Sequence, residues 1–372
     1  MATFLSFDAA RCHARRRLPR GLFDYIDRGV GEEASLRALR TRLDAAGIVP
    51  QVLQGRTGPD TGCTLFGQRY AAPFIIAPTA MAGLVHRQGE AALARAAGAA
   101  GIPFSLSTQS VSGVDDIARA APETAIWMQI YLWRELSFTE ALLARARNAG
   151  VRVLVMTVDT PAGSRKEWNL QSGFNMPFRI CARSLTDLAL RPNWLAGVML
   201  PQVLRGGIPQ MDNYPEGMRP RLIGPPVDPR LSLMPGLNWD HVAWLRDRWS
   251  GTLILKGILS PDDARRAAEA GADGIVVSSH GARNFDAAPA PIDVLPQIIS
   301  AVAGRLTVLA DSGVKRGLDV LRYTTRGARS VMLGRLPLWA LASGGEAGVH
   351  EMLAVLRTEY AEALNYLPSA EA

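Results

Sequence analysis

The chain has 372 residues, 48% of them hydrophobic and 20% charged, which allows a large core and excludes wholesale disorder. Lysine and arginine outnumber aspartate and glutamate by 41 to 34, a formal charge of +7; this suits an anionic ligand, and with no nucleic-acid-reading motif beside it no nucleic-acid partner is expected. Cys12, Cys63 and Cys181 lie far apart with no CxxC or Cys/His ligand spacing, so the expectation is no metal site and reduced thiols in the cytoplasm.

The first twenty residues lack a signal-peptide core. No apolar run approaches the ~20 residues that span a bilayer. A soluble protein, or one peripheral to the inner face of a membrane, is therefore expected. Residues 6 to 46 read as two or three short helices punctuated by Pro19, Gly29 and Gly31. From about residue 72, short apolar runs alternate with segments of helical period such as GEAALARAAGAAG and SPDDARRAAEAGA. The predicted strands are Phe74–Ala77, Pro103–Leu106, Ala125–Ile130, Val153–Val158, Leu253–Lys256, Gly274–Val277, Leu306–Ala310 and Ser330–Leu333. Eight buried strands linked mostly by helices predict a parallel (β/α)8 TIM barrel, whose active site gathers at the strands' C-terminal ends. The expectation is one domain over 1–372, with N-terminal helices over 1–50 and a barrel over 60–360.

One interval breaks the rhythm. More than ninety residues separate Asp159 from Leu253, rich in Pro, Gly, Arg and Trp, with only short helical patches at SLTDLAL and WDHVAWLRDRW. Pro201, Pro209, Pro215, Pro220, Pro225, Pro226 and Pro229 argue against helix or strand at its centre. This predicts an insert over about 170–235, mobile over the barrel mouth.

The segment Gly274–Ile292, GIVVSSHGARNFDAAPAPI, carries the strongest chemistry. A strand ends at Ser278–Ser279 and presents His280 and Arg283 at the catalytic face. An imidazole takes a proton near neutral pH and a guanidinium grips a carboxylate with two hydrogen bonds. Alone, such a pair is more often a surface or capping feature; after a barrel strand, it fits proton removal from a hydroxy acid.

This segment resembles the signature S-N-H-G-[GA]-R-Q of the FMN-dependent α-hydroxy acid dehydrogenase and oxidase family, and the likeness runs in order from about Phe7 to Leu356. The resemblance implies oxidation of an (S)-2-hydroxy acid to a 2-oxo acid, with FMN reoxidised by oxygen or an electron-transfer acceptor. It implies His280 as the base, Asp159 beside it, and Arg283, Tyr25 and Tyr131 around the substrate carboxylate and hydroxyl. For the flavin it implies Pro78, Thr79 and Ala80 (APTAMAGLVHRQGE), Ser107 (SLSTQS), Gln129 (WMQIYLW), Thr157 (VMTVDTP), Lys256 (LILKGI) and Ser278. Asp311, Ser312, Gly313 and Lys315 (ADSGVKRG), with Gly334 and Arg335 (LGR), would surround ribityl and phosphate. A homotetramer is the implied assembly.

These types suit their tasks without the family name. Reduced flavin gathers negative charge that a fixed ammonium stabilises, and phosphate wants glycine-exposed N–H groups, a helix N-terminus and a cation. Tyr25 or Tyr131 alone would more often be a packed aromatic, and the glycines ordinary turns. A buried lysine such as Lys256 is the least ordinary of the set.

The chain departs from the family at several positions. Ser279 and Asn284 replace the signature Asn and Gln, Phe285 a leucine, and Lys315 the phosphate arginine. Seven residues after Asp159 the family has arginine and this chain Lys166, preceded by Arg165. Lysine keeps charge but loses the planar fork. Either Lys166 binds substrate, or Arg165 turns inward, or both face solvent. Met81, Phe285 and the insert are expected to line the substrate end. The insert resembles the mandelate and lactate dehydrogenase branch, whereas Ala80, a glycine in several of those enzymes, resembles the oxidases. The alternative is a catalytically silent flavin-binding barrel, against which the intact Tyr25, Tyr131, Asp159, His280 and Arg283 speak.

Overall fold

A computed structural model describes residues 4–53, 58–160, 166–174, 177–178 and 181–368. A short antiparallel hairpin, β1 (Cys63–Leu65) and β2 (Gln68–Tyr70), precedes eight strands: β3 (Phe74–Ile76), β4 (Phe104–Leu106), β5 (Ile126–Ile130), β6 (Val153–Thr157), β7 (Thr252–Ile258), β8 (Gly274–Val277), β9 (Thr307–Ala310) and β10 (Ser330–Leu333). These pair in parallel around a closed barrel, β10 returning to β3. The eight predicted strands are all present, within about two residues at each end.

Period-2 alternation organises the barrel. Ile75, Trp127, Val153, Val155, Ile254, Val276, Leu309 and Met332 form the apolar plug inside it, while Phe74, Phe104, Met128, Leu154, Leu255, Ile275, Val308 and Val331 face the surrounding helices. Because both faces are buried, the strands read as continuous apolar runs. The hairpin closes the floor, with Phe66 edge-on against Trp127 at 6.0 Å.

Two steps along each strand from the plug, the inward positions are Ala77, Ser107, Gln129, Thr157, Lys256, Ser278, Asp311 and Gly334. One turn of the barrel thus changes from apolar to polar at its C-terminal end, and that change makes the floor of the site. The next inward positions include Thr79, Tyr131, Asp159 and His280.

Three N-terminal helices, Phe7–Arg17, Arg20–Asp27 and Ala34–Ala45, lie over the barrel mouth and side. Gly29 lies against the active-site turn, where a Cβ would stand 2.9 Å from the Ala282 carbonyl oxygen.

Between Asp159 and Leu253 both expected helical patches are helices, and there is more helix around them than the prolines suggest. Helices Glu167–Ser172, Ala182–Ala189, Pro192–Trp194, Leu200–Gly206 and Trp239–Arg248 occupy much of this interval. Helix persists through Pro201 because a π turn, Leu195–Met199, precedes it, so the Leu200 N–H bonds back to Leu195. Near its start a helix has no need of the proline's missing N–H. Elsewhere the insert is pinned by single bridges, Trp133 with Leu233 and Gln210 with Arg221.

Candidate active site

A cavity of about 520 Å³ opens at the strands' C-terminal ends. Tyr25, Pro78, Thr79, Ala80, Ser107, Gln129, Tyr131, Thr157, Lys166, Lys256, His280, Arg283, Asp311, Ser312, Gly313, Lys315, Gly334 and Arg335 all line it. The structure therefore brings together nearly every residue singled out in the sequence. Asp159 and Ser278 stand one layer behind the wall, each holding residues that line it.

His280, Gly281 and Ala282 are three consecutive residues in the left-handed region, with φ of 54°, 62° and 59°. For His and Ala this conformation costs of order 1–3 kcal/mol each. The turn is held by the His280 N–H donating to Ser278 Oγ at 3.0 Å, the Gly281 N–H to Ser312 Oγ at 3.2 Å and the Ala282 N–H to the Ser279 carbonyl at 2.9 Å. Ser279 Oγ also reaches Ser312 Oγ at 3.2 Å, so the serine that replaces the signature asparagine still ties this turn to the loop after β9.

The His280 Nδ1 lies 2.8 Å from Asp159 Oδ1. A carboxylate there requires Nδ1–H, which leaves the Nε2 lone pair as the ring's basic position. Burial acts to raise the Asp159 carboxyl, but the charge and hydrogen bond of His280 and then the Lys256 charge outweigh it, holding the group below the usual carboxylate range. Room for Asp159 comes from Gly257 (φ +112°), where a Cβ would stand 2.5 Å from the aspartate side chain. Asn284, in place of glutamine, donates to the Asp159 carbonyl and to Thr160 Oγ1, both at 2.9 Å; the shorter amide still reaches the backbone that carries the carboxylate. Burial, then the Asp159 charge, push the Tyr131 phenol up, so it stays a neutral O–H donor.

Arg283 stacks over the Tyr25 ring at 4.8 Å and donates to the backbone carbonyl of Tyr25. Lys166 joins the same end of the cavity, its ammonium pulled down to about 8 by burial and then by the Arg283 charge. Of the residues in the basic pair, Lys166 is half-buried and lines the cavity; Arg165 lies outside the described residues. Met81 and Phe285, expected on the wall, are absent from it. Met81, at φ 56° and 3% exposed, packs into the core as the short helix after it begins, and Phe285 is 65% exposed beyond the active-site turn. Gln109 and Leu233 line that end instead. Gln109 sits in the SLSTQS segment quoted for Ser107 but was not singled out there; Leu233 arrives only because its segment pairs with Trp133.

The floor and far end fit FMN. Lys256, 5% exposed, bonds Asp311 and Ser278 Oγ, each at 2.8 Å; an ammonium has a third N–H to offer the cavity. Gln129 accepts from the Thr108 N–H and Ser107 Oγ and donates to Thr157 Oγ1 at 3.0 Å, a polar row suited to a flavin's heteroatom edge. At the other end the half-buried Arg335 donates to the carbonyls of Ile26, Arg28 and Gly281 at 2.8, 3.2 and 3.0 Å. Burial and then Arg283 lower it to about 10. Among the described residues no carboxylate lies within salt-bridge distance of it, so this half-buried cation lacks the anion that a phosphate would supply. Gly334 leaves open the space that a Cβ would take, at the start of the helix beginning with Arg335.

Residues 14–370 match the family model described as FMN-dependent dehydrogenase. The L-lactate dehydrogenase of Caulobacter vibrioides (strain NA1000 / CB15N) is 42% identical over 350 residues, 93% of this chain and 89% of that protein. That of Pseudomonas aeruginosa (strain LESB58) is 39% identical, over 94% and 91% respectively. Among solved structures, the monotopic membrane protein (S)-mandelate dehydrogenase superposes with a TM-score of 0.87 at 32% identity, covering 98% of this chain and 95% of that one. A mandelate oxidase variant with (S)-mandelic acid gives 0.81 at 34%, covering 98% and 94%. A TIM barrel whose mouth presents a His–Asp pair between a cationic anion-binding end and a flavin-sized floor, matched over nearly its whole length, places this chain in the FMN-dependent dehydrogenase family, with FMN as its cofactor.

Proposed function

We propose that the protein oxidises an (S)-2-hydroxy acid to the 2-oxo acid, with His280 as base, and that the His280–Asp159 pair beside Arg283 and Lys166 is the observation that carries this reading. The substrate carboxylate sits between Arg283 and Lys166, with the Tyr25 hydroxyl in reach, and Tyr131 faces the substrate hydroxyl. Bound FMN supplies the acceptor for the two electrons released. Oxidation also frees two protons, one from the α-carbon and one from the hydroxyl. The His280 Nε2 takes the α-proton, or takes the hydroxyl proton as hydride leaves the carbon; in both orders the imidazolium that results is stabilised by Asp159. Lys256 holds positive charge where negative charge accumulates. Pro78, Thr79, Ala80, Ser107, Gln129 and Thr157 bound the flavin ring, and Asp311, Ser312, Gly313, Lys315, Gly334 and Arg335 the ribityl and phosphate. Ser278 acts from behind, through Lys256 and the His280 N–H. A silent flavin-binding barrel has no use for this convergence of base, carboxylate and cations.

Replacing His280 with Ala is expected to leave FMN bound while slowing its reduction by substrate about 10²–10⁴-fold. A near-parental rate would remove His280 as base.

The electron acceptor is read from the surface. No helix among the described residues is long and apolar enough to cross a membrane. Yet Leu185, Leu190, Leu200 and Leu204 of the insert are exposed, with Arg191 next to Leu190 and Arg205 next to Leu204 in the chain. Apolar side chains with basic neighbours suit the surface of an acidic bilayer, where a membrane-borne acceptor would be met. Co-flotation with acidic vesicles, lost in Leu190→Asp/Leu204→Asp, is the expected result; no flotation of the parent protein leaves oxygen or a soluble acceptor.

A further inference from the structure

The loop that follows β9 holds an unfavourable shape. Ser312 and Gly313 are both left-handed, with φ of 82° and 80°, and both line the far end of the cavity with Val314 and Lys315. What fixes the loop from behind is Asp319, 1% exposed. Its carboxylate accepts from the Lys315 and Arg316 N–H groups at 2.9 and 3.1 Å, from Arg322 at 2.6 Å, and from both terminal nitrogens of Arg40 at 2.8 Å. Arg40 belongs to the helix Ala34–Ala45, far from this loop in sequence. It also donates to the Gly313 carbonyl at 2.9 Å, and its Nε and second terminal nitrogen bond Asp44. All five guanidinium N–H groups are thereby engaged within the protein, and none is left for a ligand although Arg40 borders the cavity.

We propose that Arg40 is a positioning residue for the FMN phosphate: acting through Asp319 and the Gly313 carbonyl, it fixes the 312–316 loop so that the N–H groups Asp319 does not take, those of Gly313 and Val314, face the phosphate oxygens. This rests on the placement of the phosphate at Gly313, Lys315, Gly334 and Arg335 proposed above. The fork matters because one terminal nitrogen bonds both the Gly313 carbonyl and one Asp319 oxygen while the other takes the second Asp319 oxygen; a lysine ammonium could replace the first nitrogen but not the second. The fold keeps other ties to Asp319, namely Arg322 and two backbone N–H groups, so loss of Arg40 moves the loop without unfolding the barrel.

The test compares FMN with riboflavin, which lacks the phosphate, by fluorescence titration of the apoprotein. Arg40→Ala is expected to weaken FMN by roughly tenfold to a hundredfold, the range for a lost charged hydrogen bond, while riboflavin affinity stays as in the parent. Arg40→Lys is expected to recover part of the FMN affinity. Arg42→Ala, on the same helix and paired to Asp293 at 2.7 Å, should leave the FMN-to-riboflavin ratio unchanged. A merely structural role for Arg40 would weaken both ligands alike, and that result, or no change in either, overturns the proposal. Lys315→Met separates the two claims. If Lys315→Met lowers the ratio and Arg40→Ala does not, the phosphate is where we place it and Arg40 does not position it; if neither lowers it, the placement itself falls.

Discussion

Raising the pH through the range where Lys166 loses its proton should loosen the grip on substrate, and replacing the lysine with arginine should abolish that loss. Lys166 stands at the start of the helix Glu167–Ser172, facing the cavity, with its ammonium brought down to about 8 by burial and by Arg283. The sign follows from charge: the ligand is a carboxylate, so binding favours protonated Lys166, is strongest below about 8 and weakens as pH rises through that value. One pH unit above it roughly nine-tenths of the lysines are neutral, so affinity falls up to about tenfold per unit. The fall ends when Arg283 alone remains. The total loss is that of one charged hydrogen bond, about 1.5–3 kcal/mol or roughly ten- to a hundredfold. Arginine stays protonated throughout, so Lys166→Arg should bind a 2-oxo acid product with no alkaline decline, and Lys166→Met should bind weakly at every pH. The assay is the dissociation constant of the product from its perturbation of the flavin spectrum, measured across the pH range for all three proteins. An alkaline decline of the same size and position in Lys166→Arg would refute the assignment.

Asp159→Asn keeps a hydrogen-bonding side chain beside His280 but removes the charge; flavin reduction by substrate should slow about 10²–10⁴-fold with FMN content unchanged, and stopped-flow absorbance at near-parental rate would contradict this. Arg283→Lys should raise the substrate dissociation constant and slow reduction, because the forked contact with the carboxylate is lost; unchanged values would exclude Arg283 as anchor. Lys256→Met leaves Asp311 buried without its cation and should cost about 3–5 kcal/mol of stability, most of it regained in Lys256→Met/Asp311→Asn. Denaturant midpoints decide this, and a double variant no more stable than the single one would mean the pair is not coupled.

Much of this was legible in the sequence because the barrel writes its geometry in period 2. Strands buried on both faces stand out as apolar runs, and where each run ends the next inward residue is polar: Gln129, Thr157, Lys256, Ser278 and Asp311. Asp159 and His280 follow two residues after Thr157 and Ser278, which puts both at the barrel mouth; that they meet across the intervening strand was implied by the family resemblance. The insert was less legible, because Pro201 argues against helix unless one foresees the π turn at Leu195–Met199 that accommodates it. Leu233 carries no motif and reaches the site only through tertiary contacts, whereas Gln109, two residues after Ser107 in SLSTQS, was within reach of the sequence reading. Met81 was misplaced because the left-handed backbone that turns it into the core leaves no mark in a single sequence. Arg40 was passed over as one arginine among several on an ordinary helix; only its bonds to Asp319 and Gly313 single it out.

The most direct test of the central claim is anaerobic mixing of the yellow holoprotein with a panel of 2-hydroxy acids, following the flavin absorbance, then admitting air. The account predicts that (S)-2-hydroxy acids bleach the flavin and yield about one equivalent of 2-oxo acid per FMN, that the (R) enantiomers do not, and that His280→Ala stays yellow with all of them. A flavin that no 2-hydroxy acid bleaches, or that bleaches equally in His280→Ala, would contradict it.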